Sequence, residues 1–186
     1  MAKPRIIIAV SGGVAAYKSA IVVSQLVQSE HDVTCVMTSS SQKFLGKATL
    51  EALSGKKVVT DTFDSDFPLG SHIELARNSD LLCVVPATAN FLSKAANGLG
   101  DDLLSTLYLC FTGPVVVAPA MNCEMWESKS VQRNVIKLVD DGVNMIGPEE
   151  GWLSCRVKGV GRMSEPETIV EFIVSQFSDD ADPAKA

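Results

Sequence analysis

The residues best able to do chemistry fall in four short segments, each directly after an apolar run. Ser11-Gly12-Gly13-Val14-Ala15 carries two glycines. Without Cβ atoms, backbone N–H groups there can approach a phosphate or a flat ring at the start of a helix. The segment is neither a full GxGxxG nor a Walker loop, and alone it fits a tight turn as well as a nucleotide or flavin site. Thr38-Ser39-Ser40-Ser41 supplies a run of hydroxyls, suited to helix capping or to a phosphate cradle. Beside a glycine loop on the neighbouring strand, the cradle is the better reading. Met37 and Thr38 stand where a dinucleotide ribose would need an acidic residue, which favours a mononucleotide. In Pro86-Ala87-Thr88-Ala89-Asn90-Phe91 the small residues admit a flat ring. Thr88 and Asn90 could bond its polar edge or simply cap a helix. Pro119-Ala120-Met121-Asn122-Cys123-Glu124-Met125-Trp126 fits a generic loop poorly. Asn122 can meet a carboxylate or amide, and Met121, Met125 and Trp126 can enclose a water-poor site.

Three further residues stay ambiguous on their own. His72, in Ser71-His72-Ile73-Glu74-Leu75, is either a surface or capping residue or a base near a substrate acid or thiol. His31 reads as a solvated loop residue. Cys155 lies in the glycine-rich stretch Glu149–Met163, as an incidental thiol or as a proton donor on a mobile flap.

These segments need a frame. Arg5–Val10, Asp32–Met37, Asp80–Val85, Pro114–Ala118 and Val143–Ile146 read as buried strands. Helical patterns cover Val14–Gln28, a stretch from about Ser41, Ala87–Ala96, Asp102–Cys110, Lys129–Asp140 and Glu165–Gln176. Continuous apolar strands alternating with helices predict an α/β fold: a three-layer αβα sandwich around a doubly wound parallel sheet, flavodoxin-like or Rossmann-like. Ligands in such sheets sit beyond the carboxyl ends of the strands, where the four segments fall. Asp61–Gly70 reads as a loop. The expected organisation is a single domain over 1–177 with a frayed tail over 178–186.

Composition narrows the options. The 186 residues carry a net charge of -6 with 46% hydrophobic and 20% charged residues, a globular balance that argues against nucleic-acid and anionic-membrane partners. No apolar run is long enough to span a membrane and no signal peptide is read at the start. The cysteine number is odd, no CxxC occurs, and Cys35, Cys83 and Cys110 lie in apolar runs. That predicts reduced thiols in the cytoplasm rather than disulfides. With two histidines only, no metal is expected.

Taken together, the motifs resemble the flavin-dependent cysteine decarboxylases, the family that contains phosphopantothenoylcysteine decarboxylase and the lantibiotic peptidyl-cysteine decarboxylases. Pro119–Trp126 fits the family's PxMNxxMW signature, and Pro86–Asn90 is similar to its PxSAN segment with Thr88 for Ser. Ser71–Leu75 matches its catalytic-histidine region. Leu153-Ser154-Cys155 followed by Gly161-Arg162-Met163-Ser164-Glu165-Pro166 is similar to its substrate flap, usually ACG before a GRMAEP-like stretch. Ser154 and Arg156 stand where that flap has Ala and Gly, and Phe91 where Thr often follows the Asn.

The resemblance implies bound FMN. It assigns Gly12, Gly13 and Val14 to the flavin, Ser39 and Ser40 to its phosphate, and Thr88, Ala89, Asn90 and Ala120 to its ring. It gives His72, Asn122 and Cys155 to catalysis, and Asn122, Met125 and Ser154 to the substrate. The implied reaction is decarboxylation of 4'-phosphopantothenoylcysteine to 4'-phosphopantetheine in coenzyme A synthesis. His72 would be the base, Asn122 would orient the carboxylate, and Cys155 would allow the final saturated thiol. The implied assembly is a homotrimer or a higher homo-oligomer such as a dodecamer, with sites at subunit contacts. The alternatives are a peptidyl-cysteine decarboxylase of a modified-peptide pathway, which would stop at the enethiol, and a non-catalytic flavin-binding regulator.

Overall fold

The computed structural model describes residues 3–178. Five strands, β1 (Arg5–Val10), β2 (Asp32–Met37), β3 (Leu81–Ala87), β4 (Val115–Pro119) and β5 (Asn144–Met145), make one parallel sheet in the order β2-β1-β3-β4-β5. That is the flavodoxin-like doubly wound order. The helices are α1 (Ala16–Gln28), α2 (Lys47–Ser54), α3 (Ser71–Arg77), α4 (Ala89–Ala96), α5 (Leu103–Cys110), α6 (Cys123–Glu127), α7 (Lys129–Asp140) and α8 (Pro166–Ser178).

The central strands β1 (beyond Arg5), β3 and β4 are apolar throughout because both faces of the sheet are covered there, while the edge strands carry Asp32, Thr34 and Asn144. Ile6, Ile8 and Val10 of β1 point to one side, into a core shared with Leu26 of α1, Leu50 of α2 and Ile169 of α8. Ile7 and Ala9 point to the other, into a core shared with Leu75 of α3, Leu92 of α4, Leu107 of α5 and Leu138 of α7. Each fully buried Ile or Leu contributes about 1.5–3 kcal/mol of transfer free energy. These two cores hold the sheet rigid beneath the loops at its carboxyl edge.

Strand order reverses between β1 and β3, and that is the switch point where a crevice opens. Ser11 clamps its floor: its Oγ donates to the Pro86 carbonyl at 2.7 Å and accepts from the Thr88 N–H at 3.0 Å. The loop after β1 and the loop after β3 are therefore one structural unit.

The structure amends several expected boundaries. The helix expected from about Ser41 divides into a 3-10 turn, Ser41–Lys43, and α2, which begins after Gly46. β3 runs on to Ala87, so α4 starts only after Thr88. The segment after β4 is not all loop, since α6 lies within it. The stretch Glu149–Met163, expected as a mobile flap, is largely an antiparallel hairpin of β6 (Glu149–Trp152) and β7 (Lys158–Arg162). The tail beyond Ser178 lies outside the described residues. Among those residues no helix is long and apolar enough to cross a membrane.

Candidate active site

The carboxyl ends of β1, β3 and β4 open on a cleft of about 760 Å³, in the range of small-molecule sites. Its first wall is the loop into α1. Ala15 at the N-cap gives no side-chain cap, and the first turn of α1 carries no acidic residue. The N–H groups of Ala16 and Lys18 turn back onto the Gly13 and Ala15 carbonyls at 3.0 Å, whereas those of Gly12, Gly13 and Val14 have no backbone acceptor among the described residues. With the positive dipole end of α1 behind them, they make a natural seat for an anion. Gly12, Gly13 and Val14 line it together with Ser40. A Cβ on Gly12 would overlap the Ser40 side chain. Glycine is thus required where the two loops touch. Gly12→Ala is expected to push Ser40 away and to weaken flavin binding at least about tenfold, read by titrating the apoprotein and following visible flavin absorbance.

The second wall is the start of α4. Thr88 serves both readings offered by the sequence: its Oγ1 accepts from the Phe91 N–H, capping α4 at 3.4 Å, and the residue lines the cleft with Ala89 and Asn90. Asn90 is exposed and its side chain forms no hydrogen bond among the described residues, so its amide is available to a ring edge.

The third wall comes from β4 and α6. Asn122 caps α6, its Oδ1 accepting from the Met125 N–H at 2.8 Å. Because that N–H demands an acceptor, the amide orientation is fixed and the NH2 group is left to the cleft, two donors and no charge. Ala120 and Met121 lie beside it. The expected water-poor enclosure by Met and Trp is only partly formed. Met125 lines the cleft but is 45% exposed on its lip, and Trp126 packs into the core on the α4/α7 side of the sheet instead.

The hairpin roofs the cleft, and its base is fixed. The Met121 N–H donates to the Gly161 carbonyl at 3.0 Å, and a Cβ on Gly161 would overlap the Met121 carbonyl. Gly159 lies close against Cys123 in the same way. The Arg162 side chain crosses over Gly151 and reaches Glu149 at 3.1 Å and Glu165 at 3.4 Å. Glu165 also accepts from Lys18 of α1 at 2.8 Å, and this partner holds its carboxyl below the usual range. Only the tip, residues 153–157, extends beyond these anchors.

The cleft thus gathers Gly12, Gly13, Val14, Ser40, Thr88, Ala89, Asn90, Ala120, Asn122, Met125 and Ser154. Three expected residues do not line it. Ser39 is exposed just outside. Cys155 is exposed on the hairpin tip. His72 sits on α3, which packs against α5. There its carbonyl receives the Cys110 thiol at 3.4 Å, and its Nδ1 is buried without a partner. Tyr17, Lys18, Arg162 and Glu165 line the cleft and were missed as site residues. The Arg162–Glu165 spacing in GRMSEP, an i,i+3 ion pair, was the available signal. All five cysteines are free. Burial pushes the Cys35 thiol up to about 12, and Cys83 is raised further by complete burial; both are inert core residues.

The Flavoprotein family model matches residues 1–178. The coenzyme A biosynthesis bifunctional protein CoaBC of Bacillus subtilis is 44% identical over 176 residues, covering 94% of this chain and 43% of that protein. CoaBC of Haemophilus influenzae is 37% identical over 95% of this chain and 44% of its own length. The chain therefore spans less than half the length of these curated relatives. Among solved structures, a cysteine-to-serine mutant of PPC decarboxylase in complex with pantothenoylaminoethenethiol superposes with a TM-score of 0.88 at 34% identity, over 95% of this chain and all of the other. The FMN-dependent cysteine decarboxylase SpaF superposes with a TM-score of 0.83 at 32% identity, over 94% of this chain and 97% of SpaF. With a parallel sheet of flavodoxin order, a glycine loop at its switch point and an Asn-capped loop lining the same cleft, the chain belongs to the Flavoprotein family, and within it to the FMN-dependent cysteine decarboxylases.

Proposed function

We propose that this chain decarboxylates 4'-phosphopantothenoylcysteine to 4'-phosphopantetheine, a step of coenzyme A synthesis, with FMN held in the cleft. The observation that carries this reading is that Asn122, whose NH2 is left unpartnered by its cap, lines the same cleft as the glycine loop at the start of α1. The names of the CoaBC relatives and of the superposed PPC decarboxylase support the substrate. The cleft-lining residues fit FMN: Gly12, Gly13 and Val14 with Ser40 would hold its phosphate end, and Thr88, Ala89, Asn90 and Ala120 its ring, while Ser39 stays outside the cleft.

Bound there, FMN would supply the two-electron oxidant for the substrate's CH2–SH unit and, once reduced, the electrons for the final saturation. The chain's own groups do the rest. His72 takes the thiol proton. Asn122 donates to the carboxylate and fixes its direction of departure. A carboxylate beta to C=S leaves as readily as one beta to a ketone. Cys155, exposed on the hairpin tip beside cleft-lining Ser154, gives the proton that completes the saturated thiol once the tip turns it inward.

His72 lies outside the cleft of its own chain, so a second copy must supply it. Phe63 (91% exposed) and Leu69 (64% exposed) lie on the loop that leads into α3 and His72, while Val14, Tyr17 and Trp152 are exposed residues lining the cleft. Apposing these two apolar sets in a head-to-tail ring covers both and brings one protomer's His72 to its neighbour's cleft. A homotrimer, alone or within a larger shell, is the simplest such ring. The free thiols suit a cytoplasmic protein.

The decisive experiment is mass spectrometry of the product from yellow, purified protein given 4'-phosphopantothenoylcysteine. A saturated thiol with loss of CO2 supports the reading; no reaction overturns it. In the same assay Cys155→Ser is expected to release CO2 within about twofold of the wild-type rate but to accumulate the enethiol. The cysteine-to-serine PPC decarboxylase solved with an enethiol supports that outcome. Full conversion by Cys155→Ser would remove Cys155 from the mechanism. Turnover of a peptide ending in Cys, with phosphopantothenoylcysteine untouched, would instead make the chain a peptidyl-cysteine decarboxylase.

A further inference from the structure

The hairpin tip holds a residue that the mechanism does not use. Leu153 N donates to the Val157 carbonyl and Arg156 N to the Leu153 carbonyl, both at 2.9 Å. Arg156 has φ +65°. This is a three-residue hairpin loop, a type I turn followed by a left-handed bulge residue, where glycine is the ordinary choice. An arginine there carries the steric penalty of its Cβ and gives the turn nothing that glycine would not. A strained residue kept at the edge of a site points to function rather than to folding.

The charges around it point the same way. On the hairpin Arg162 is engaged with Glu149, and Lys158 with Glu150 at 3.5 Å. At the cleft wall Lys18 and Arg162 share Glu165. Arg156 is exposed and makes no ion pair among the described residues. It stands two residues from Ser154, which lines the cleft. The cations built into the cleft wall are neutralised by neighbouring carboxylates, and the uncommitted guanidinium is carried at its mouth on the one part of the hairpin beyond the fixed base.

We propose that Arg156 is a specificity-determining residue that grips the terminal phosphate of the substrate while the cysteine end lies at Asn122. A guanidinium matches a phosphate with two parallel N–H donors, and the dianion finds no other free cation on the hairpin. The inference rests on the decarboxylase reading and assigns an end of the substrate that the catalytic groups leave unread.

The test compares 4'-phosphopantothenoylcysteine with its unphosphorylated counterpart, pantothenoylcysteine, on the flavin-loaded oligomer. Arg156→Gly is expected to raise KM for the phosphorylated compound about tenfold with kcat unchanged, and to leave KM for the unphosphorylated compound as it was. Wild-type KM for the phosphorylated compound should rise with ionic strength, and that slope should flatten in the variant. Because glycine relaxes the left-handed position, the melting temperature of Arg156→Gly should equal or exceed that of the wild type, which separates lost recognition from lost folding. Arg156→Lys, which keeps the charge without the fork, should lie between. Equal effects of Arg156→Gly on both compounds, or no effect on either, would overturn the role of Arg156 and leave the decarboxylase reading standing. Wild-type protein that releases CO2 from neither compound would overturn both.

Discussion

His72→Asn is expected to lower CO2 release by about 10²–10⁴-fold, the usual worth of a positioned general base, while each subunit keeps its flavin. The flavin is spared because His72 lies away from the cleft walls. The variant should fold, because the helix around it is held by Leu75 in the core and by the Ser71 hydroxyl on the Asp61 carbonyl at 2.8 Å, not by the imidazole. The ring is nonetheless closely placed. Gly70 takes φ +95°, and a Cβ there would come within 3.1 Å of the imidazole Cε1, so only glycine leaves the ring its position. If the histidine serves a neighbour's cleft, His72→Asn and Asn122→Asp subunits should complement. Each alone is inactive, but in a one-to-one mixed oligomer about a quarter of the contacts pair an intact His72 with an intact Asn122. The mixture should regain about that fraction of wild-type activity. No recovery on mixing, with exchange of subunits confirmed, would place the base elsewhere. A His72→Asn enzyme within about tenfold of wild type would dismiss it as the base.

The sheet was legible in the sequence for a simple reason. Runs such as RIIIAV and LLCVV have no polar alternation, and a strand with no polar face must be covered on both sides. That set the layers, and the layers put the loops after β1, β2, β3 and β4 at one edge. The hairpin was less legible. EEGW and KGVGR lack the β-branched and aromatic density of ordinary strands. Their pairing is secured from outside, by Arg162 lying over Gly151 and by Gly159 and Gly161 lying against Cys123 and Met121. Contacts between residues so far apart in the chain leave no periodic trace. Thr88 shows a different limit, since capping α4 and lining the cleft call for the same residue at the same place. The separation of His72 from Asn122 was hidden more deeply, because a single chain's sequence does not say which of its surfaces meet another copy.

Asn122→Asp should be nearly as damaging as loss of the base, and for a reason confined to the one group that differs. Asn and Asp are equivalent N-caps, so the introduced carboxylate would still accept from the Met125 N–H. The loop, α6 and melting temperature should stay as they are. What changes is the group facing the cleft: an NH2 that donates to a carboxylate becomes a carboxylate oxygen that repels one. At a separation of about 4 Å and an effective dielectric of about 20, that repulsion is of order 4 kcal/mol. Discounted for the water admitted past Met125, it corresponds to about a 10²–10³-fold loss in kcat/KM. Asn122→Ala makes the contrast. It removes the donor without adding charge, but costs about 1 kcal/mol of cap, so it should be less inactive and less stable than Asn122→Asp. Activity of Asn122→Asp above about a tenth of wild type would show that the substrate carboxylate rests elsewhere. The opposite ranking of the two variants would show that Asn122 matters for the shape of the loop alone.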